Sequence, residues 1–139
     1  MIVIDTSVWI ALYRDRTGRI SGLLADAVAD EAVAFAPFVI TEVLQGARSQ
    51  AEWDWLSREI SLLPRLEPSA TSWSDAARIF FDLQRQALTV YSTIDCLISQ
   101  LCLDHDCTLL HNDRDYENIA TVRPLKQQRL SGLEPIVHG

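Results

Sequence analysis

The stretch Met1-Ile2-Val3-Ile4-Asp5-Thr6-Ser7-Val8-Trp9-Ile10 decides how the rest of the chain is read. Ile2 to Ile4 is a short, uninterrupted run of β-branched residues, the pattern of a strand buried on both faces in a parallel sheet. It runs directly into a carboxylate. In α/β sheets, ligands bind just beyond the carboxyl ends of the strands, near a reversal of strand order. Asp5 therefore has two readings. It can cap the helix that Val8 to Tyr13 continues, or it can belong to a site.

Working outward, Val33 to Phe35 and Cys107 to Leu110 read as further short strands, with an edge strand near Leu125 and another bracketed by Pro64 and Pro68. Helical spacing of apolar residues marks Ile20 to Ala32, Phe38 to Ala47 and Glu52 to Leu63, and Pro37 suits a first helical turn. Ser72-Trp73-Ser74-Asp75 resembles a capping box, with Asp in place of Glu, for a helix running to about Ala87. Ile94 to Leu103 is another helix, and Asn112 to Ala120 is a loop followed by a short one. Strands alternating with helices predict an α/β fold with a mainly parallel central sheet of four to five short strands flanked by helices. The 139 residues are read as one domain, 1–139, able to bury a core without a disulfide or metal staple.

The formal net charge of −7 ordinarily argues against nucleic acid as a partner. Its distribution softens that argument. Lys126 is the only lysine, and arginines cluster in Arg14-Asp15-Arg16-Thr17-Gly18-Arg19 and between Arg123 and Arg129. If several acids share a pocket that binds cations, the formal charge overstates the repulsion a polyanion feels. Cys96, Cys102 and Cys107 form no C-x-x-C and read as reduced core thiols of a cytoplasmic protein. No apolar run approaches the ~18 residues of a membrane span, and no signal peptide is expected at the N-terminus.

The acids are the informative residues. Asp113 and Asp115 follow the strand that ends at Leu110, so their loop opens on the same sheet edge as Asp5. Glu42 lies in F-V-I-T-E-V-L-Q-G, and Asp95 opens an otherwise apolar helix in S-T-I-D-C-L-I. Each has an ordinary reading: cap, exposed helix face, first-turn acid or turn residue. Those readings do not explain why all of them adjoin buried segments, where unpaired carboxylates cost several kcal/mol each or stay protonated. Hard divalent cations remove that penalty, and Mg²⁺ takes oxygen ligands. Other chemistries fail. There is no nucleotide-cradling glycine loop. His105, His111 and His138 lack zinc-site spacing with the cysteines and read as structural or exposed. Ser7 lacks a nucleophile-elbow context and also breaks the D-x-D pattern of phosphatases. A receiver-type domain needs paired acids at the first strand and a lysine near the pocket, and neither is present.

Asp5-Thr6-Ser7 after an N-terminal strand, Glu42 in T-E-V-L-Q-G-A, Asp95 in I-D-C-L-I, and L-L-H-N-D-R-D-Y-E-N-I-A together resemble the ordered acidic motifs of the PIN domain. Within that group they are similar to the VapC toxins of type II toxin–antitoxin modules. The resemblance implies a Mg²⁺-dependent endoribonuclease, with Mn²⁺ able to substitute, that leaves a 3′-hydroxyl and a 5′-phosphate. It implies a homodimer and a cognate VapB-type antitoxin that blocks the site. By position, Asp5, Glu42, Asp95 and Asp113 match the acidic quartet, with Asp5, Asp95 and Asp113 as metal ligands and Thr6, Ser7 and Asp115 in support. Asp113 and Asp115 compete for the last place, and one metal or two is left open. The chain departs from the pattern at Ala87-Leu88 and at Asp106, where relatives commonly place Gly. Asp106 can adopt the left-handed helix-end conformation at modest cost. A PIN nuclease of RNA processing outside a toxin module, and a non-catalytic PIN-like interaction protein, are the alternatives. Trp53 and Trp55 stand two apart on one helix and cannot both face the core, so at least one is expected on the surface for a partner.

Overall fold

Among the described residues, four short strands make one parallel sheet in the order β2-β1-β3-β4: β1 (Ile2–Ile4), β2 (Val33–Ala34), β3 (Thr108–His111) and β4 (Gln127–Arg129). The computed structural model describes residues 1–89 and 92–134. Val3 lies opposite Ala34 on one side and Leu109 on the other, and Leu110 lies opposite Gln128. Composition explains these places. Ile2, Val3 and Ile4 are at most 2% exposed and fill the centre, whereas the Gln-Gln-Arg of β4 suits a solvated edge. The chain goes from β1 outward to β2, then returns to the far side of β1 to form β3. Strand order thus reverses between β1 and β3, where a parallel sheet offers a binding crevice.

Among the described residues, seven helices flank the sheet: α1 (Thr6–Arg14), α2 (Arg19–Val28), α3 (Pro37–Gln45), α4 (Gln50–Ser61), α5 (Ser72–Arg85), α6 (Thr93–Asp104) and α7 (Arg114–Ile119). Helix α6 is buried nearly all round, with Cys96, Ile98, Leu101 and Cys102 at most 1% exposed. Each such aliphatic side chain contributes about 1.5–3 kcal/mol on burial. The helix that carries Asp95 is therefore held rigidly by the core. The three cysteines are buried and free. Trp53 and Trp55 are both exposed, at 44% and 41%, although the Tyr13 ring meets Trp55 edge-on with centroids 5.2 Å apart.

Three local expectations change. The segment between Pro64 and Pro68 forms only a single parallel bridge, Phe35 to Arg65, because prolines at both ends remove N–H donors from a ladder. The capping box at Ser72 does not form. Thr71 precedes α5 as its cap, and the Ser72 hydroxyl donates instead to Asp104 Oδ2 at 2.7 Å. Helix α5 stops at Arg85, where Leu88 N–H reaches Leu83 O at 2.9 Å with Ala87 at φ 58°. Helix α6 ends the same way, Cys107 N–H to Cys102 O at 2.9 Å, with Asp106 at φ 53° as anticipated.

Candidate active site

The carboxyl edge of the sheet and the N-termini of α1, α6 and α7 contribute to one pocket of about 550 Å³. Asp5 follows β1 as the N-cap of α1, Asp113 follows β3 as the N-cap of α7, and Asp95 stands in the first turn of α6. The capping and site readings of Asp5 and Asp113 are thus one reading. Asp5 Oδ2 accepts from the Ser7 hydroxyl at 2.8 Å and from Ser7 N–H at 3.3 Å. Asp113 Oδ1 accepts from Asp115 N–H at 2.9 Å. Each cap pins one carboxylate oxygen and so the side-chain rotamer. Three helix N-termini also bring partial positive charge to the acids, which lowers the cost of gathering them.

The tightest group among the described residues is Asp95, Asp113 and Asp115, whose carboxylates each offer an oxygen such that all three lie within 4.8 Å of one another. The resemblance assigns Asp5, Asp95 and Asp113 as metal ligands, with Asp115 in support or in competition with Asp113. In the structure Asp115 joins the triplet, because Asp113 caps α7 from outside while Asp115 sits in its first turn. Asp5 lines the same pocket with both oxygens engaged, Oδ2 by Ser7 and Oδ1 by Tyr116. Glu42 enters from α3, and its Oε1 accepts the Thr6 hydroxyl at 2.7 Å. The two hydroxyls after Asp5 are therefore divided: Thr6 holds Glu42, and Ser7 holds Asp5.

Two further residues brace this arrangement: Tyr116, given no role of its own by the sequence reading, and His111, read there as structural or exposed. Tyr116 is fully buried, and its hydroxyl lies 2.6 Å from Asp5 Oδ1 and 3.1 Å from Asp95 Oδ1. A hydroxyl has one proton, so the shorter contact takes it. When Asp95 carries a proton of its own, that proton can return to the tyrosine oxygen. His111, also fully buried, accepts Asp113 N–H on Nδ1 at 3.1 Å, which places its proton on Nε2, 2.6 Å from Gln127 Oε1. Its ring packs on Tyr116 with centroids 4.9 Å apart. His111 thus ties the loop bearing Asp113 and Asp115 to the edge strand. His105 is exposed and bonds Glu67 O, and His138 lies outside the described residues.

Burial pushes the Asp95 carboxyl up to about 8. The Asp5 charge adds to this, as do Asp113 and Asp115, and the Tyr116 hydrogen bond only partly opposes it. The Tyr116 hydroxyl is held well above its ordinary value by burial, then by Asp5 and Asp95, so it stays a donor. Without a cation, the pocket keeps a proton on Asp95 at neutral pH.

The profile of the PIN domain family matches residues 2–122. The chain is 33% identical over 130 residues to Ribonuclease VapC11 of Mycobacterium tuberculosis and, equally, to VapC ribonuclease Mb1587 of Mycobacterium bovis, covering 91% of this chain and 96% of each relative. Among solved structures, VapBC2 from Rickettsia felis bound to a promoter DNA fragment superposes with a TM-score of 0.75 at 18% identity, covering 93% of this chain and 98% of that one. The chain belongs to the PIN-domain family, in its VapC group. Among the described residues, no helix is long and apolar enough to cross a membrane.

Proposed function

We propose that residues 1–139 act as a single PIN domain that hydrolyses RNA phosphodiester bonds as the toxin of a type II toxin–antitoxin pair, with Mg²⁺ or Mn²⁺ in the acid pocket. The observation that carries this reading is the carboxylate triplet of Asp95, Asp113 and Asp115 in a chain 33% identical to VapC ribonucleases. The donor set fits a hard divalent ion. Carboxylates converge there, no described His or Cys lines the pocket, and burial beside the other acids keeps a proton on Asp95. Asp95 and Asp113 would hold the ion together with Asp5 or Asp115, directly or through water. When bound, the ion offsets charge on the scissile phosphate and lowers the pKa of an attacking water.

The chain's own residues do the rest. Ser7 and Tyr116 keep Asp5 in place, and His111 keeps Asp113 in place. Glu42, oriented by Thr6, stands at the pocket to accept a proton from water. In-line attack then leaves a 3′-hydroxyl and a 5′-phosphate. The test is cleavage of total RNA by the purified chain with Mg²⁺, with Mn²⁺ and with chelator, beside the Asp5→Asn variant. Asn caps a helix as well as Asp: its single carbonyl oxygen can keep the Ser7 contacts, and its NH2 can donate to the Tyr116 oxygen, whose own proton then turns to Asp95, so the fold should hold. Cleavage should need the metal and vanish in the variant. A folded Asp5→Asn protein that cuts at wild-type rate overturns the assignment.

The same reading includes partners and place. A cognate VapB-type antitoxin would silence the site by inserting an Arg or Lys among the acids, where a planar guanidinium pairs well with carboxylates. Added Mg²⁺ should then weaken the complex more than NaCl at matched ionic strength, since NaCl mainly screens. Exposed Trp53, Trp55 and Trp73 offer apolar surface for a homodimer or for that antitoxin. Three reduced, buried cysteines suit a cytoplasmic protein.

A further inference from the structure

The acid pocket opens onto a second groove. Ser7 and Ile10 line both cavities, and Asn112, next to Asp113, lines the second. This groove, of about 670 Å³, has an apolar floor that includes Ile10, Ala11, Ile20 and Leu133. Three arginines border it, and they are not equivalent. Arg19 is occupied: its guanidinium donates to Gly132 O and Glu134 O. Arg14 and Arg16 are exposed, and their guanidinium groups make no hydrogen bond or ion pair with any other described residue. The acid between them is turned away from them. Asp15 accepts Thr17 N–H, the Thr17 hydroxyl and Ile20 N–H, so its carboxylate serves the turn. Glu134 adds one further acid to the lining.

We propose that this groove holds the RNA strand to one side of the scissile phosphate, with Arg14 and Arg16 pairing to its backbone phosphates and the apolar floor receiving ribose and base faces. The proposal rests on the ribonuclease reading of the acid pocket. Charge and continuity carry it. In a chain of net charge −7, attraction for a polyanion must be local, and here two unpaired guanidinium groups border a groove that runs into the acids. From its cap at Asp5 to its end at Arg14, helix α1 rises about 13 Å, which a single strand covers in a few nucleotides. Guanidinium groups suit phosphates because their planar fork donates in pairs.

The test uses the full chain carrying Asp5→Asn, so that RNA is bound and not cut, with and without Arg14→Gln and Arg16→Gln. A mixed-sequence single-stranded RNA oligonucleotide is titrated across a NaCl series. Each lost phosphate contact should lower the slope of log affinity against log salt by about 0.7, so by about 1.4 for the pair, with affinity down roughly tenfold at physiological salt. With Asp5 restored, the two substitutions should raise KM and leave kcat unchanged. RNA affinity and salt slope that stay at parental values overturn the proposal, and a groove that instead serves a protein partner gives that result. If the wild-type chain cuts no RNA but the binding slopes fall as stated, the nuclease reading fails and the groove assignment stands.

Discussion

Helix α6 carries an aspartate near each end, and the two live in opposite surroundings. Asp104 accepts the Ser72 hydroxyl on Oδ2 at 2.7 Å and Gln100 Nε2–H on Oδ1 at 2.9 Å, and it is exposed to water. Asp95 is buried, with Asp113 and Asp115 beside it and Asp5 across one tyrosine hydroxyl. The helix dipole favours an acid at the Asp95 end and disfavours one at the Asp104 end. Yet it is Asp95 whose pKa rises, to about 8. Burial and like charge outweigh the dipole, while neutral donors compensate Asp104 at the wrong end of the helix. Asp95 is set mainly among carboxylates and Asp104 among neutral donors, and only the first is pushed up.

The comparison breaks most visibly at Asp95. Asp95→Asn should lower metal-dependent RNA cleavage by about 10²–10³-fold, the scale for removing one preorganised electrostatic contact. Asp104→Asn should leave the rate near wild type. Equal losses in the two variants would mean that the acids at both ends of α6 serve only the fold.

The pH dependence sharpens it. The folded pKa of Asp95 is raised above its unfolded value of about 3.9, so the folded state binds the extra proton. That contribution to stability is present below about pH 4 and is lost as pH rises toward 8, at up to about 1.4 kcal/mol per pH unit. Thermal unfolding of the metal-free chain should therefore fall across this window. Asp95→Asn should not show that part of the fall. Saturating Mn²⁺ should reverse it in the wild type, and Mn²⁺ affinity should climb with pH until about 8, because binding displaces the proton. A flat metal-free profile would remove the case for a protonated Asp95.

Tyr116→Phe tests the brace. Losing a hydrogen-bond partner of ligating groups costs about 10–100-fold in metal affinity. The variant should need roughly tenfold more Mn²⁺ for half-maximal cleavage and approach the wild-type rate at saturation. An unchanged metal requirement would leave the tyrosine a packing residue.

The smallest effect lies at the other end of α6. Ser72→Ala removes one donor from Asp104 and should cost about 1 kcal/mol in denaturant unfolding, with cleavage and Mn²⁺ requirement unchanged. A change in Mn²⁺ requirement would couple the two ends of the helix.

The chain alone determined the α/β architecture, the buried central strand and the acids that line the pocket. These follow from short-range patterns: period, the apolar run at Ile2 to Ile4, and acids at the starts of α1, α6 and α7; Glu42, late in α3, is marked instead by the resemblance to the PIN motifs. Glu42, Asp5, Asp95, Asp113 and Asp115 all line one pocket, as do Thr6 and Ser7. Tertiary structure decided which acid oxygens converge, bringing Asp115 within 4.8 Å of Asp95 and Asp113 while Asp5 meets Asp95 across the Tyr116 hydroxyl. It also made Tyr116 a brace for Asp5, 111 residues away, and His111 a link from Gln127 to Asp113. Both stand in the last acidic motif, and His111 reads there as structural or exposed, but no local signal gives the long-range partners. At Ser72 it overrode a local signal, because Asp104 offers a stronger acceptor than a backbone cap requires. The physical reason is range. Periodicity specifies which way a side chain faces within its own element, whereas the gap between side chains on different elements is set by how the core packs.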